Sequence, residues 1–147
     1  MPKLTAIQIR HYGDGKLDRV TLPKKTAAEN IEIGDFLKFT TDGVELMTAA
    51  ADAATFVGIS GTLSKNAEGP RQILVYQKCM VVLPSESGTY KPGDGLKYKP
   101  ANGTVEDDQD TTPGNTIAWS RDLTPAASTT VKAWVDVVGL QKLYGVE

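Results

Sequence analysis

The side chains able to do chemistry in this chain are few and scattered. Acyl transfer needs a base oriented beside a nucleophile, and the chain holds one histidine, His11, close to its beginning. Catalysis by His11 is not expected. Cys79 is also alone, so it forms no intrachain disulfide, and between Lys78 and Met80 it reads as a packed free thiol on a strand. One histidine and one cysteine are too few for a zinc site. Gly13-Asp14-Gly15 and Gly93-Asp94-Gly95 have neither the spacing nor the following helix of a phosphate-cradling loop, and read as turns. The acidic run Glu106-Asp107-Asp108-Gln109-Asp110 has carboxylates enough for Ca²⁺ but not the EF-hand spacing, and reads as a solvated insert. Nothing places two carboxylates across a groove for glycoside hydrolysis. Trp119, Trp134, Tyr76 and Tyr98 could build a sugar-stacking platform, although large residues at strand positions more often serve core or interface. The expectation is therefore a protein that is not an enzyme, with no catalytic, metal or cofactor-binding residues and no cofactor.

The elements that must carry these residues are strands. A length of 147 residues suits one compact domain, and 40% hydrophobic with 23% charged residues is an ordinary globular composition. A net charge of −2 and a pI near 5.4 lack the basic excess that nucleic-acid binding requires. Met1-Pro2-Lys3-Leu4-Thr5 opens without an apolar signal region, and no run reaches the roughly 18 apolar residues of a membrane span. Neither nucleic acid nor membrane is an expected partner, and the expected setting is a cytoplasm-like compartment or release by cell lysis.

Ile33-Gly34-Asp35-Phe36-Leu37-Lys38-Phe39 returns about sixty residues later as Pro92-Gly93-Asp94-Gly95-Leu96-Lys97-Tyr98, and Val57-Gly58-Ile59-Ser60 as Ile117-Ala118-Trp119-Ser120. In both copies Gly-Asp forms a tight turn, since glycine tolerates positive φ and aspartate caps nearby amides, and a strand follows. Gly34, Asp35, Gly93 and Asp94 are thus turn residues. Asp42-Gly43 and Pro100-Ala101-Asn102-Gly103 signal returns, while Thr48 to Ala54 supports one helical turn at most. Arg71 to Leu83 is apolar on both faces, with Ile73, Val75, Cys79 and Val81 opposite Leu74, Tyr76, Met80 and Val82. Its counterpart, Thr130 to Leu140, places Val131, Ala133, Val135 and Val137 on one face and Trp134 on the other. The fold expected is all-β, a compact β-sandwich or barrel built from two related β units. Residues 1–29 read as an N-terminal hairpin or arm, in which Gly13-Asp14-Gly15 lets Leu17 to Leu22 fold back. Residues 30–147 form the β-rich domain, with repeats at 30–83 and 90–140.

Ile31 to Leu37, Thr55 to Ser60, Val75 to Leu83 and Tyr90-Lys91-Pro92-Gly93-Asp94 together resemble the head-decoration, or capsid cement, proteins of tailed bacteriophages. The resemblance spans roughly residues 30 to 140 and rests on a Gly-Asp turn opening a strand, an alanine-rich segment before a second strand, and a later Tyr-Lys-x-Gly-Asp turn. It implies a virion protein on the outer capsid surface, present in host cytoplasm during assembly, that binds the major capsid protein, commonly as a homotrimer, and straps capsomers together. It transfers no catalytic residue. Leu4, Ile7, Ile9 and Tyr12, in the unrepeated leading segment, are the expected shell or subunit anchors, unless that segment merely completes the β body. On the anchor reading, deleting residues 1–22 should leave a folded protein that no longer assembles on shells. Tyr76 and Trp134 are the candidate subunit contacts on the two-faced strands. A ligand- or carbohydrate-binding module of a phage tail or fibre is the alternative.

Overall fold

The computed structural model describes residues 9–10, 18–108 and 115–137, and its fold is all-β. The strands are β1 (Ile9–Arg10), β2 (Asp18–Pro23), β3 (Phe36–Thr40), β4 (Gly43–Leu46), β5 (Phe56–Ser60), β6 (Gln72–Gly88), β7 (Gly95–Lys99), β8 (Thr104–Asp107), β9 (Thr116–Ser120) and β10 (Ser128–Asp136). The alanine-rich segment forms a 3-10 helix, Ala50–Thr55. Asp52 holds it in place, its Oδ2 accepting from the amides of Thr48 (2.9 Å) and Ala49 (3.1 Å) and from Lys38 Nζ (3.0 Å).

Period-two alternation organises β6, the 17-residue strand on which everything else is hung. Ile73, Val75, Cys79, Val81 and Leu83 are buried, while Leu74, Tyr76, Met80 and Val82 on the other face are half-buried. The strand runs on past Leu83, where the sequence suggested an end, to Gly88. Along β10, Val131, Ala133 and Val135 are buried and Trp134 faces the other way, and the strand stops at Asp136. Residues 138–140, expected to continue it, lie outside the described residues.

Two small barrels share β6. Its first half pairs with β2 on one edge and β5 on the other, and β5 leads through β3 to β4. That ring closes where Lys24 meets Val44 and the Lys25 amide donates to Val44 O at 2.9 Å. The second half of β6 pairs with β10 over Lys78 to Gly88, and β10, β9, β7 and β8 return to β6 at Ser85 opposite Val105. Lys78 is the hinge of the arrangement, with Asp18 as its partner on one edge and Asp136 on the other. Both closing contacts are parallel and all other strand pairs are antiparallel, so the duplication extends to topology.

The described strands of the leading segment both pair with β6. β1 and β2 both run antiparallel to β6 on one edge, end to end: Ile9 and Arg10 oppose Val81 and Met80, and β2 resumes at Asp18 opposite Lys78. β6 offers a longer apolar partner to both. β2 is a wall of the first barrel, and its Val20 and Leu22 pack on that barrel's interior. Removing residues 1–22 would therefore remove most of a barrel wall.

Inside, the barrels match position by position. Ile31, Leu37, Val44, Val57, Ile73 and Val75 fill the first, and Tyr90, Leu96, Val105, Ile117, Val131 and Ala133 stand at the equivalent places in the second. Between the barrels lies one apolar junction. Phe36 meets Phe56 edge-on at 6.0 Å and Tyr98 of the second barrel at 5.0 Å, with Met47 and Ile59 in the same cluster.

Candidate functional surfaces

The most repeated local structure is the Gly-Asp corner. Gly34 and Gly93 sit at φ 96° and 92°, where a Cβ would be strained, and each donates its amide at 2.8 Å to the carbonyl of Ser60 or Ser120. Those serines return the bond, to Asp35 O at 2.9 Å and Asp94 O at 2.8 Å. The carboxylates are committed locally: Asp35 Oδ2 accepts from the Glu32 amide (2.7 Å) and Asp94 Oδ2 from the Lys91 amide (2.9 Å). The serine hydroxyls in turn accept from the amides of Thr62 (3.1 Å) and Asp122 (3.2 Å). With these bonds made, the four turn residues hold strand ends together.

What each corner displays is apolar. Among the described residues the exposed large hydrophobics are Ile33 (49%), Phe39 (41%), Leu63 (50%) and Leu123 (70%). Leu63 and Leu123 are equivalent, each in the loop just after the corner serine. Ile33 and Leu63 line a shallow depression of about 310 Å³ with Glu32 and Lys65. In the second barrel Pro92 stands where Ile33 does. Single exposed leucines are ordinary, but the same exposure at the same place in two copies is not explained by the interior of either barrel. The repeated blocks singled out in the sequence end at Ser60 and Ser120, but the same register continued three residues further brings Leu63 over Leu123.

A second surface lies at the seams. Lys24 is 2% exposed, and its ammonium donates to Ser64 Oγ (2.9 Å), Ala27 O (3.0 Å) and Asn66 O (3.3 Å). All three partners are neutral, and burial pulls the lysine below its usual range. Beside it, Lys25 pairs with Glu45 at 3.2 Å. At the matching seam of the second barrel, Glu86 accepts from Lys99 Nζ, Asn102 Nδ2 and Thr104 Oγ1, each at 2.8 Å, and these bonds, Lys99 first, hold its carboxyl below the usual range. A depression of about 340 Å³ opens next to it, lined by residues including Glu86, Tyr90, Lys97 and Asp107. Among the described residues no group of three His, Cys, Asp or Glu side chains is placed to hold a metal ion. Burial alone pushes the Cys79 thiol up to about 12, which leaves no thiolate to react.

The aromatics do not assemble into a platform. Tyr98 stands edge-on to Phe36 in the junction, and Tyr76 and Trp119 pack on the same cluster. Trp134 lies opposite Trp119 and Met80 on the outer face of the second barrel, half-buried, with Lys78 Nζ 5.8 Å from its ring centre. Of the proposed leading-segment anchors, Leu4, Ile7 and Tyr12 lie outside the described residues, and Ile9 is described only as part of β1. His11 and residues 109–110 of the acidic run are likewise outside them.

No family model matches the chain, and no curated protein matches it. Among solved structures it is similar to the N base of head fiber gp8.5 in bacteriophage phi29, with 13% sequence identity and a TM-score of 0.45, over 83% of this chain and 96% of that one.

Proposed function

We propose that this chain is a structural protein of a tailed-phage virion that binds the outer surface of the capsid and stabilises contacts between capsomers. The observation that carries the reading is the duplicated corner, which shows an exposed leucine at Leu63 and again at Leu123. A shell of identical subunits is a partner that offers one contact many times, and a duplicated barrel is a body that can use it twice. The resemblance of residues 30–140 to head-decoration proteins supports the same reading. Binding to assembled shell and not to its dispersed parts stabilises it by RT ln(1 + [L]/Kd) at each site. Two linked contacts raise the occupancy further, because the second forms at high effective concentration. A homotrimer, joined through the outer face that carries Trp134, would multiply the linkage again.

The test is binding of the purified protein to capsids that lack it, alongside Leu63→Ser, Leu123→Ser and the double variant. Both leucines are solvent-facing, so stability should move by less than about 0.5 kcal/mol. Each single change should weaken capsid binding roughly tenfold, as expected for one lost leucine contact, and the double change roughly a hundredfold. A double variant that still decorates shells at full occupancy would overturn the role of the corners. A parent protein that stays monomeric by light scattering and ignores capsids would overturn the reading as a whole.

A further inference from the structure

The seam of the second barrel depends on one carboxylate. β8 meets β6 at a single residue pair, Ser85 and Val105. Next to that contact Glu86 takes Lys99 from the end of β7, Asn102 from the turn and Thr104 from the start of β8. One side chain of β6 thereby bonds to both strands and to the turn of the β7–β8 hairpin. Asn102 is followed by Gly103, the one Asn-Gly pair in the sequence.

That dipeptide has a chemistry of its own. The backbone nitrogen after an asparagine attacks the side-chain Cγ, the Cγ–Nδ2 bond breaks, and ammonia leaves a five-membered succinimide. Water then opens either carbonyl of the ring, giving aspartate or isoaspartate. Glycine in the second position has no Cβ to obstruct the attack. In this fold both reacting groups are engaged: the Gly103 amide donates to Lys99 O at 3.0 Å, and Asn102 Nδ2 donates to Glu86 Oε1 at 2.8 Å.

We propose that Asn102-Gly103 is a latent deamidation site, kept intact by Glu86 and the turn, whose conversion unlatches the second barrel. The product replaces a donor with an acceptor that is ionised at neutral pH, directly facing the Glu86 carboxylate. The seam then loses one bond and gains a like-charge pair, while the first barrel, closed by Lys24 and by Lys25 with Glu45, is untouched.

The full-length protein is incubated at mildly alkaline pH and residue 102 is followed by peptide mass mapping with isoaspartate detection. Native protein should convert slowest, Glu86→Ala roughly tenfold faster, as one charge-assisted bond warrants, and urea-unfolded protein fastest. Glu86→Met, which keeps the length of the side chain but offers Asn102 no oxygen acceptor, stands in should Glu86→Ala fail to fold. Separately, Asn102→Asp should speed hydrogen exchange at the amides of Thr104 to Glu106 roughly tenfold and leave β3 and β4 unchanged. Asn102→Ala, which adds no charge, should have the smaller effect. Equal conversion in native and unfolded protein, no acceleration in the Glu86 variants, or unchanged exchange in Asn102→Asp would each overturn the proposal.

Discussion

The two barrels agree in their interiors and disagree at their closures. Ile31, Leu37, Val44, Val57, Ile73 and Val75 have apolar counterparts at every position in the second barrel. The seams, by contrast, exchange charge. Buried Lys24 and the Lys25–Glu45 pair close the first, whereas Ser85 and an anionic Glu86 close the second. The interior of a small barrel admits only apolar side chains of the right total volume, so both copies keep them. A seam needs only that donors meet acceptors, which several side-chain sets accomplish. The junction breaks the likeness in a second way. Phe36 fills it from the first barrel, and its counterpart Gly95 sits against Thr116 instead.

The sharpest way to break the likeness is at Gly58 and Ala118, which occupy the same place in β5 and β9. Gly58 has φ 140°, and a Cβ there would stand 2.3 Å from Tyr76 O. Gly58→Ala should therefore cost about 3 kcal/mol or more, while Ala118→Gly costs about 1 kcal/mol. Denaturant melts of both variants check this; equal losses would mean that the β5 strand adapts.

Next come the paired core leucines. Leu37→Ala and Leu96→Ala should each lose about 2–5 kcal/mol, since both side chains are fully buried. Both tryptophans, Trp119 and Trp134, are on strands of the second barrel, so their fluorescence reports chiefly that barrel, with Trp119 also packed on the junction. Because β6 serves both rings, Leu37→Ala should shift the fluorescence and circular-dichroism transitions together. Two separated transitions would show that the barrels melt independently.

The seams should differ by a smaller margin. Lys24→Met leaves Ser64, Ala27 and Asn66 without their donor and should cost about 1–3 kcal/mol. Ser85→Ala, at the equivalent place, should cost under about 1 kcal/mol, because the neighbouring Tyr90 hydroxyl already donates to Glu86 O. A reversed order in thermal melts would overturn the assignment of the first seam to Lys24.

The smallest effect is on pH. Burial tends to raise the Asp52 pKa, but the Thr48 and Ala49 amides and Lys38 outweigh it and leave the carboxyl below its ordinary 3.8. A folded pKa below the unfolded one means the contribution is whole above 3.8 and fades as pH falls through the folded value. Asp52→Asn should flatten stability across that acid window by under about 1 kcal/mol, read from melts at stepped pH. An unchanged acid limb would show that these bonds do not hold the Asp52 carboxyl below its ordinary value.

Much of this was legible residue by residue. The Gly-Asp turns could be read because positive φ selects glycine, and the two faces of β6 because alternation is a local property. The Leu63 and Leu123 corners were within reach of the same repeat. Burial of Lys24 was not, since it depends on oxygens from Ala27, Ser64 and Asn66 that the chain gathers only on folding. The pairing of β2 with β6 was not legible for a related reason: a turn signal says where a chain can reverse, not which strand it will meet.

The amino-acid order by itself determined an all-β chain with a duplicated unit, its turns and its buried faces. Only the tertiary structure decided that β6 belongs to two barrels at once, that β2 completes the first, and that both rings close by short parallel contacts. Period two assigns a side chain to a face, whereas hydrogen-bonding partners across an edge come from remote segments and are selected by how the whole sheet closes.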